Sequence, residues 1–367
     1  MKKVLFLIHD LCQGGAEKVL VNLVNNMNRE KFDVTVMSLF DVGVNKQFLK
    51  KDIKYKSCFK YAIPGNSHYM KLLTPKQLFR WLIKDKYDIV VSYLEGPCAR
   101  IASGAPDGTK VVSYIHITIP TKKDIARPFR SFKEASECYN RADMMVYISQ
   151  TVKEVFQESC PTKNNIVLYN TNETSEIIEK SKEPLEKELS TAQFNWCSVG
   201  KLTGSKGFDR MLRIQKRLIN EGYSTHFHAF GIGELADSLK TWCNDNGISD
   251  SVTFWGYQTN PYKFVSKCDL YVCASHAEGF STSTTEALIV GTPVCTVEVS
   301  GMKEMLGNNN EWGVVTNNNE EELYLAIKNL LDNPDKLKMY AQKANERGKV
   351  FSTENTVRAV EDMLESL

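Results

Sequence analysis

Short apolar runs alternate with amphipathic stretches along this chain, and the series is run through twice, once on each side of a polar stretch near the middle. Residues 4–8 are a continuous apolar run suited to a buried strand. After Gly14 and Gly15, residues 16–27 place Val19, Leu20, Leu23, Val24 and Met27 at helical spacing. Further strands are predicted at 32–39, 89–93, 111–115 and 144–148, with helices between them. Residues 168–194 are polar, charged and poor in apolar side chains, so the domain junction is placed there. Strands resume at 195–199, 226–230, 252–255, 270–273 and 293–296, followed by helices over 320–332 and near 354–367. Strand–helix alternation of this kind builds parallel, doubly wound α/β sheets. A chain of 367 residues exceeds one ordinary core and suits two such domains. Their boundaries are expected at 1–170 and 171–345, with 346–367 as a terminal helical segment. Open α/β sheets bind ligands beyond the carboxyl ends of their strands, so the chemistry is sought in the turns that follow them.

Composition narrows the setting. An apolar fraction of 42% and a charged fraction of 25% are ordinary for a soluble globular protein. No apolar run approaches the roughly 18 residues of a membrane-spanning helix. The start resembles a secretory signal in having two lysines before an apolar run. That run is only five residues long before His9 and Asp10 end it, and a first strand is the better reading. A cytoplasmic protein is therefore expected. The ten cysteines stand singly, without a CxxC pair, as reduced core residues would. The net charge of +2 conceals an asymmetry: residues 1–170 carry 26 Lys+Arg against 16 Asp+Glu, and the remainder 20 against 28. A basic first half attracts phosphates, anionic lipid or nucleic acid. Nucleic acid is set aside for want of a binding motif or a basic helix with interleaved aromatics.

Three turns carry candidate chemistry. The first, 9–16, holds Gly14 and Gly15 between a strand and a helix, where converging backbone N–H groups favour an anion. Taken alone it fits an ordinary tight turn equally well. The second, 198–207, places Lys201 and Lys206 five apart among glycines, where they could flank a diphosphate or simply be solvated. The third, 278–288, separates Glu278 and Glu286 by seven residues and puts Gly279, Phe280, Ser281 and Thr282 between them. Its hydroxyls and backbone N–H groups suit phosphate, and a polar helix start with one solvated glutamate is the plain alternative.

In this order and at this separation the lysine turn, the Glu-x7-Glu segment and the Gly-Gly turn resemble the family-4 glycosyltransferases of the GT-B fold. The closest flavour is the bacterial enzymes of capsular and other surface polysaccharide synthesis. The resemblance extends over essentially the whole chain and includes Gly231-Ile232-Gly233-Glu234, Phe254-Trp255-Gly256-Tyr257 and Glu298-Val299-Ser300-Gly301. It implies two Rossmann-like domains facing each other across a cleft, the first holding the acceptor and the second the nucleotide-sugar, with the last helix packing back toward the first. It implies a retaining transferase, with a UDP-sugar as first choice of donor and GDP-mannose as second, and a glycan or lipid-linked acceptor. The nucleotide-sugar is a substrate, so no cofactor is expected.

Carried over residue by residue, the resemblance puts Lys201 and Lys206 on the donor diphosphate, Glu278 beside the transferred sugar and Glu286 on the ribose hydroxyls. Gly231, Tyr257 and the 279–282 segment fall on the donor side, and Gly15 approaches the donor from the opposite domain. His116, after a strand, falls near the reacting sugar and is grouped with Glu278 and Lys206 as catalytic, a satisfied structural histidine being the plain alternative; Gly14 and Glu95 are acceptor-side. The family often has Arg where Lys201 stands and an aliphatic residue where Thr285 stands. No Asp-x-Asp occurs in the chain, so no metal is expected on the diphosphate. His226 and His228 alternate along one strand and make a metal site only with further ligands. Two other functions fit a chain of this plan: a nucleotide-sugar epimerase, and a non-catalytic scaffold in a polysaccharide assembly complex. Lys122, Lys123, Arg127, Arg130 and Lys133, with Ile125 and Phe129 among them, suit either a solvated loop or a surface meeting anionic lipid at the inner face of the cell membrane.

Overall fold

Thirteen strands among the described residues form two separate sheets, and every pairing within them is parallel. The protein is seen here as a computed structural model that describes residues 1–12, 14–61 and 69–367. The chain divides into two units: Met1–Asn172 with Thr353–Leu367, and Glu173–Ser352.

The first unit carries β1 (Lys2–Ile8), β2 (Phe32–Phe40), β3 (Lys54–Phe59), β4 (Ile89–Ser92), β5 (Lys110–Ile115), β6 (Met144–Tyr147) and β7 (Asn165–Val167) in the order β3-β2-β1-β4-β5-β6-β7. The order reverses between β1 and β4, which makes their carboxyl ends the topological switch point where such sheets take ligands. Because helices cover both faces, β1 is apolar on both. Val4, Phe6 and Ile8 pack with Val19, Leu20, Leu23 and Val24 of the helix Gly15–Asn26, and Leu5 and Leu7 pack with Leu78, Ile101 and Ala102 on the other side.

The second unit repeats the plan with β8 (Phe194–Val199), β9 (Thr225–Phe230), β10 (Val252–Gly256), β11 (Leu270–Cys273), β12 (Val294–Val297) and β13 (Val314–Thr316), ordered β10-β9-β8-β11-β12-β13. Here the switch point falls between β8 and β11. The fold is therefore two doubly wound α/β units.

Three strands escape the apolar pattern. β3 is an edge strand whose Lys54 and Lys56 pair outward with Asp33 and Asp85, and β7 and β13 are three-residue edges. The polar stretch after residue 168 contains a helix, Thr174–Ser181, whose Ile177 is buried with Tyr262 and Ile289. A boundary at 346 falls inside the helix Pro334–Gly348, whose Tyr340 lies in the second unit's core. The chain returns to the first unit at Thr353 instead. There the helix Thr353–Glu365 buries Val357, Val360, Met363 and Leu364 against the helix Gly15–Asn26, and Lys2 Nζ donates to the Leu364 carbonyl at 2.9 Å. No helix among the described residues is long and apolar enough to cross a membrane.

Candidate active site

In the second unit the loop after β8 is pressed against the exit of β11 by backbone geometry. Gly207 sits at φ +66°, and a Cβ there would lie 2.0 Å from the Ala274 carbonyl oxygen, so only glycine fits. The His276 N–H donates to the Ser205 carbonyl at 2.8 Å, a second tie between the same two segments. The result is contact between two residues 72 apart: Lys206 Nζ lies 2.6 Å from Glu278 Oε1. Ser275 Oγ donates to the same oxygen at 2.7 Å. Glu278 is 11% exposed in its side chain and Lys206 31%, so the pair is partly desolvated yet reachable. Gly231, at φ +139°, lies so close to the Gly200 carbonyl that a Cβ would stand 1.9 Å from its oxygen. It shapes the loop by close approach.

The segment after Glu278 turns into the helix Thr282–Ile289. Ser281 caps it, accepting from the Thr284 N–H at 3.3 Å, and Ser283 accepts from the Tyr271 hydroxyl at 2.8 Å. Thr285 is buried where an aliphatic residue is usual in the family. Its hydroxyl is satisfied by donating to the Ser281 carbonyl at 3.0 Å, one turn back, so the polar atom carries no burial penalty. Glu286 is 9% exposed, and Tyr262 OH donates to its Oε1 at 3.1 Å. The Phe280 ring is buried against Phe351, with centroids 5.8 Å apart, which leaves the Phe280 backbone rather than its ring for a ligand. Tyr257 and Lys201 are exposed in the loops after β10 and β8.

The first unit presents its own set. Gly14 is the N-cap residue of the helix Gly15–Asn26, and a Cβ on Gly15 would meet nothing within 4 Å, so open space lies over it. Glu95, after β4, accepts the backbone N–H of His116, after β5, at 3.0 Å. Burial raises the pKa of the Glu95 carboxyl. The His116 ring is 6% exposed, tilted against Tyr93 (4.8 Å) and stacked on Tyr114 (5.7 Å). Burial pulls its pKa down to about 4, against a backbone hydrogen bond with Tyr93. At neutral pH the ring is uncharged and a weak base, fit to hydrogen-bond rather than to carry a proton away. Its Nε2 is buried without a partner among the described residues.

The structure thus joins Lys206 to Glu278 and Glu95 to His116. Ser275 and Tyr262, each holding one of the paired glutamates, are site residues that the motif reading missed. Ser275 was visible only as a hydroxyl three positions before Glu278. His228 is structural: it bonds Asn195 Oδ1 at 3.0 Å, accepts from Trp255 Nε1 at 3.1 Å, and burial pulls its pKa down to about 3. Among the described residues no group of three or more His, Cys, Asp or Glu is placed to hold a metal ion.

Known families match both units. A model described as Glycosyltransferase Family 4 covers residues 13–173, and one described as Glycosyl transferases group 1 covers 178–347. The chain belongs to the family-4 glycosyltransferases, and its fold is GT-B. It is similar to the N-acetylgalactosamine-N,N'-diacetylbacillosaminyl-diphospho-undecaprenol 4-alpha-N-acetylgalactosaminyltransferase of Campylobacter jejuni, at 26% identity over all of both chains. Among solved structures, HepE of Anabaena in complex with UDP shares the fold over all of both chains, with a TM-score of 0.79 at 17% identity. The lipopolysaccharide outer core galactosyltransferase WaaB shares it over 99% of each chain, with a TM-score of 0.75 at 18% identity.

Proposed function

We propose that this glycosyltransferase takes a sugar from a nucleotide-sugar, a UDP-sugar before GDP-mannose, and transfers it with retention to a glycan or lipid-linked acceptor of bacterial surface polysaccharide synthesis. The observation that carries the reading is the Lys206–Glu278 contact at a switch point, a cation and an anion side by side where a sugar diphosphate would split. As the sugar leaves, negative charge grows on the diphosphate and positive charge on the anomeric carbon. Lys206, with Lys201 and the N–H groups that open the helix Thr282–Ile289, neutralises the first; Glu278 faces the second. Glu286, oriented by Tyr262, accepts from the ribose hydroxyls. His116, neutral and with Nε2 unsatisfied, takes a hydrogen bond from a sugar hydroxyl, and Glu95 fixes the backbone that carries it. Neutralisation by lysines and backbone dipoles leaves the chemistry no need of a divalent cation.

The relatives support a UDP donor and a lipid-linked acceptor in their own names: HepE was solved with UDP, and the Campylobacter enzyme acts on an undecaprenol diphosphate. An acceptor of that kind suits a peripheral protein of the inner membrane face. The apolar part of the contact differs from the sequence expectation, because Ile125 and Phe129 are buried. The exposed side chains beside the basic segment are Tyr69 and Leu72, and Arg130 and Lys71 tie the two segments together through the Leu72 and Arg127 carbonyls.

The test is a panel of nucleotide-sugars in excess EDTA, read first by thermal shift and then by nucleotide release. A ligand at a hundred times its Kd adds about 2.7 kcal/mol, or roughly 5–10 °C for a unit of this size. UDP-sugars should shift the transition and turn over in EDTA. A panel without any shift would overturn the donor reading, and activity that appears only with magnesium or manganese would overturn the metal-free chemistry.

A further inference from the structure

Glu278 Oε1 accepts from two donors that differ in what can remove them. Lys206 ends a long, partly exposed side chain, and its ammonium is a mobile point charge that an arriving anion will draw. Ser275 is 2% exposed, and its backbone cannot follow a ligand. On one side Ala274 meets Gly207 backbone to backbone, and on the other the His276 N–H is bonded to Ser205. The hydroxyl itself is aimed. The buried Cys273 thiol donates to Ser275 Oγ at 3.5 Å, which leaves the one hydroxyl proton for Glu278. Burial pushes the Cys273 pKa up and so keeps that thiol protonated.

We propose that Ser275 is a positioning residue of the transfer reaction: it holds the Glu278 carboxylate in place once the donor diphosphate has drawn Lys206 away. This rests on the reading of Lys206 and Glu278 given above. Without a donor, Glu278 is partly neutralised by the adjacent ammonium. When that ammonium turns to the diphosphate, the carboxylate is unmasked toward the anomeric carbon just as positive charge develops there. A neutral hydroxyl suits the remaining task, because it fixes the carboxylate without cancelling its charge. A carboxylate with no fixed donor would follow Lys206 or rotate, and a displacement of about 1 Å in a reacting constellation costs on the order of a hundredfold.

The experiment is a double-mutant cycle on the intact chain: wild type, Ser275→Ala, Glu278→Gln and the double variant. Each is assayed on the UDP-hexose that wild type turns over fastest, and UDP binding is measured by calorimetry. Ser275→Ala should lower kcat by about 10- to 100-fold, with the donor KM and the UDP affinity within about twofold of wild type. In the Glu278→Gln background the same change should cost almost nothing, because a residue acting through Glu278 has nothing left to position. A hydroxyl needed only for the loop's integrity would weaken UDP binding, or cost as much in both backgrounds, and either result overturns the proposal. So does a Ser275→Ala variant with wild-type kcat beside an impaired Glu278→Gln, which leaves the function itself standing. Wild type inert on every donor, or Glu278→Gln fully active, overturns that function and this inference together.

Discussion

Gly207→Ala tests whether the site is built by the approach of two backbones. The residue sits at φ +66°, in the left-handed region, where a Cβ costs roughly 1–2 kcal/mol. That Cβ would lie 2.0 Å from the Ala274 carbonyl oxygen. An ordinary C···O contact is about 3.3 Å, so the loop and the β11 exit must part by roughly 1.3 Å. Overpacking of this kind adds about 1–3 kcal/mol, for a total near 3 kcal/mol. In a unit of this size that lowers Tm by roughly 6–12 °C. The same shift moves the backbone that carries Lys206 relative to Glu278 and Ser275, and a misplacement of this order costs about a hundredfold in turnover. Gly204→Ala is the control, since a Cβ at this other glycine of the loop meets nothing within 4 Å. It should leave Tm and kcat close to wild type. Calorimetry and nucleotide release on the three proteins decide the matter. If Gly207→Ala melts and turns over like wild type, or Gly204→Ala falls as far, the loop is not pinned in this way.

Lys206→Ala should lose about a hundredfold or more in turnover, the usual cost of one electrostatic donor to a developing anion, and Lys201→Ala less, since water can replace a more exposed point charge. Near-normal turnover in Lys206→Ala would remove the site assignment. Anionic vesicles should sediment the protein at low salt and release it as salt rises, each basic residue of 122–133 near the surface contributing about 1 kcal/mol; binding that ignores salt, or no binding, would count against a lipid-facing surface.

What the sequence made legible follows from where each element lies in its sheet. Strand segments buried on both faces, such as Val4–Ile8 of β1 and all of β11, have to be apolar, and the sequence places both strands to within two residues. β3, β7 and β13 sit at sheet edges, where one side is wet and three residues can suffice, and no periodicity survives in so short or so polar a segment. The helix Thr174–Ser181 escapes notice in the stretch given to the domain junction for a related reason: it turns a single buried residue, Ile177, inward. The last domain boundary was misplaced because a charged helix surface is the same in composition whichever unit it covers. Tyr340, Ala344 and Gly348, buried in the helix Pro334–Gly348, assign that helix to the second unit.

The site divides along a similar line. A side chain that works by its charge leaves a mark in the sequence, as Lys206, Glu278 and Glu286 do in the turns and the helix that follow buried strands. A side chain that works by holding another leaves none. Ser275 and Tyr262 are ordinary residue types, and their role exists only in the direction of a proton: one hydroxyl to Glu278 at 2.7 Å, the other to Glu286 at 3.1 Å. Both directions depend on packing decided far away in the chain, at Gly207 against Ala274 and at Ile177 against Tyr262. His116 combines the two cases. Its place after β5 is readable, but its chemistry is not, because the lowered basicity of the ring comes from burial beside Tyr93 and Tyr114. The charges are thus written in the motifs, and the geometry that holds them is written in the residues that buttress them.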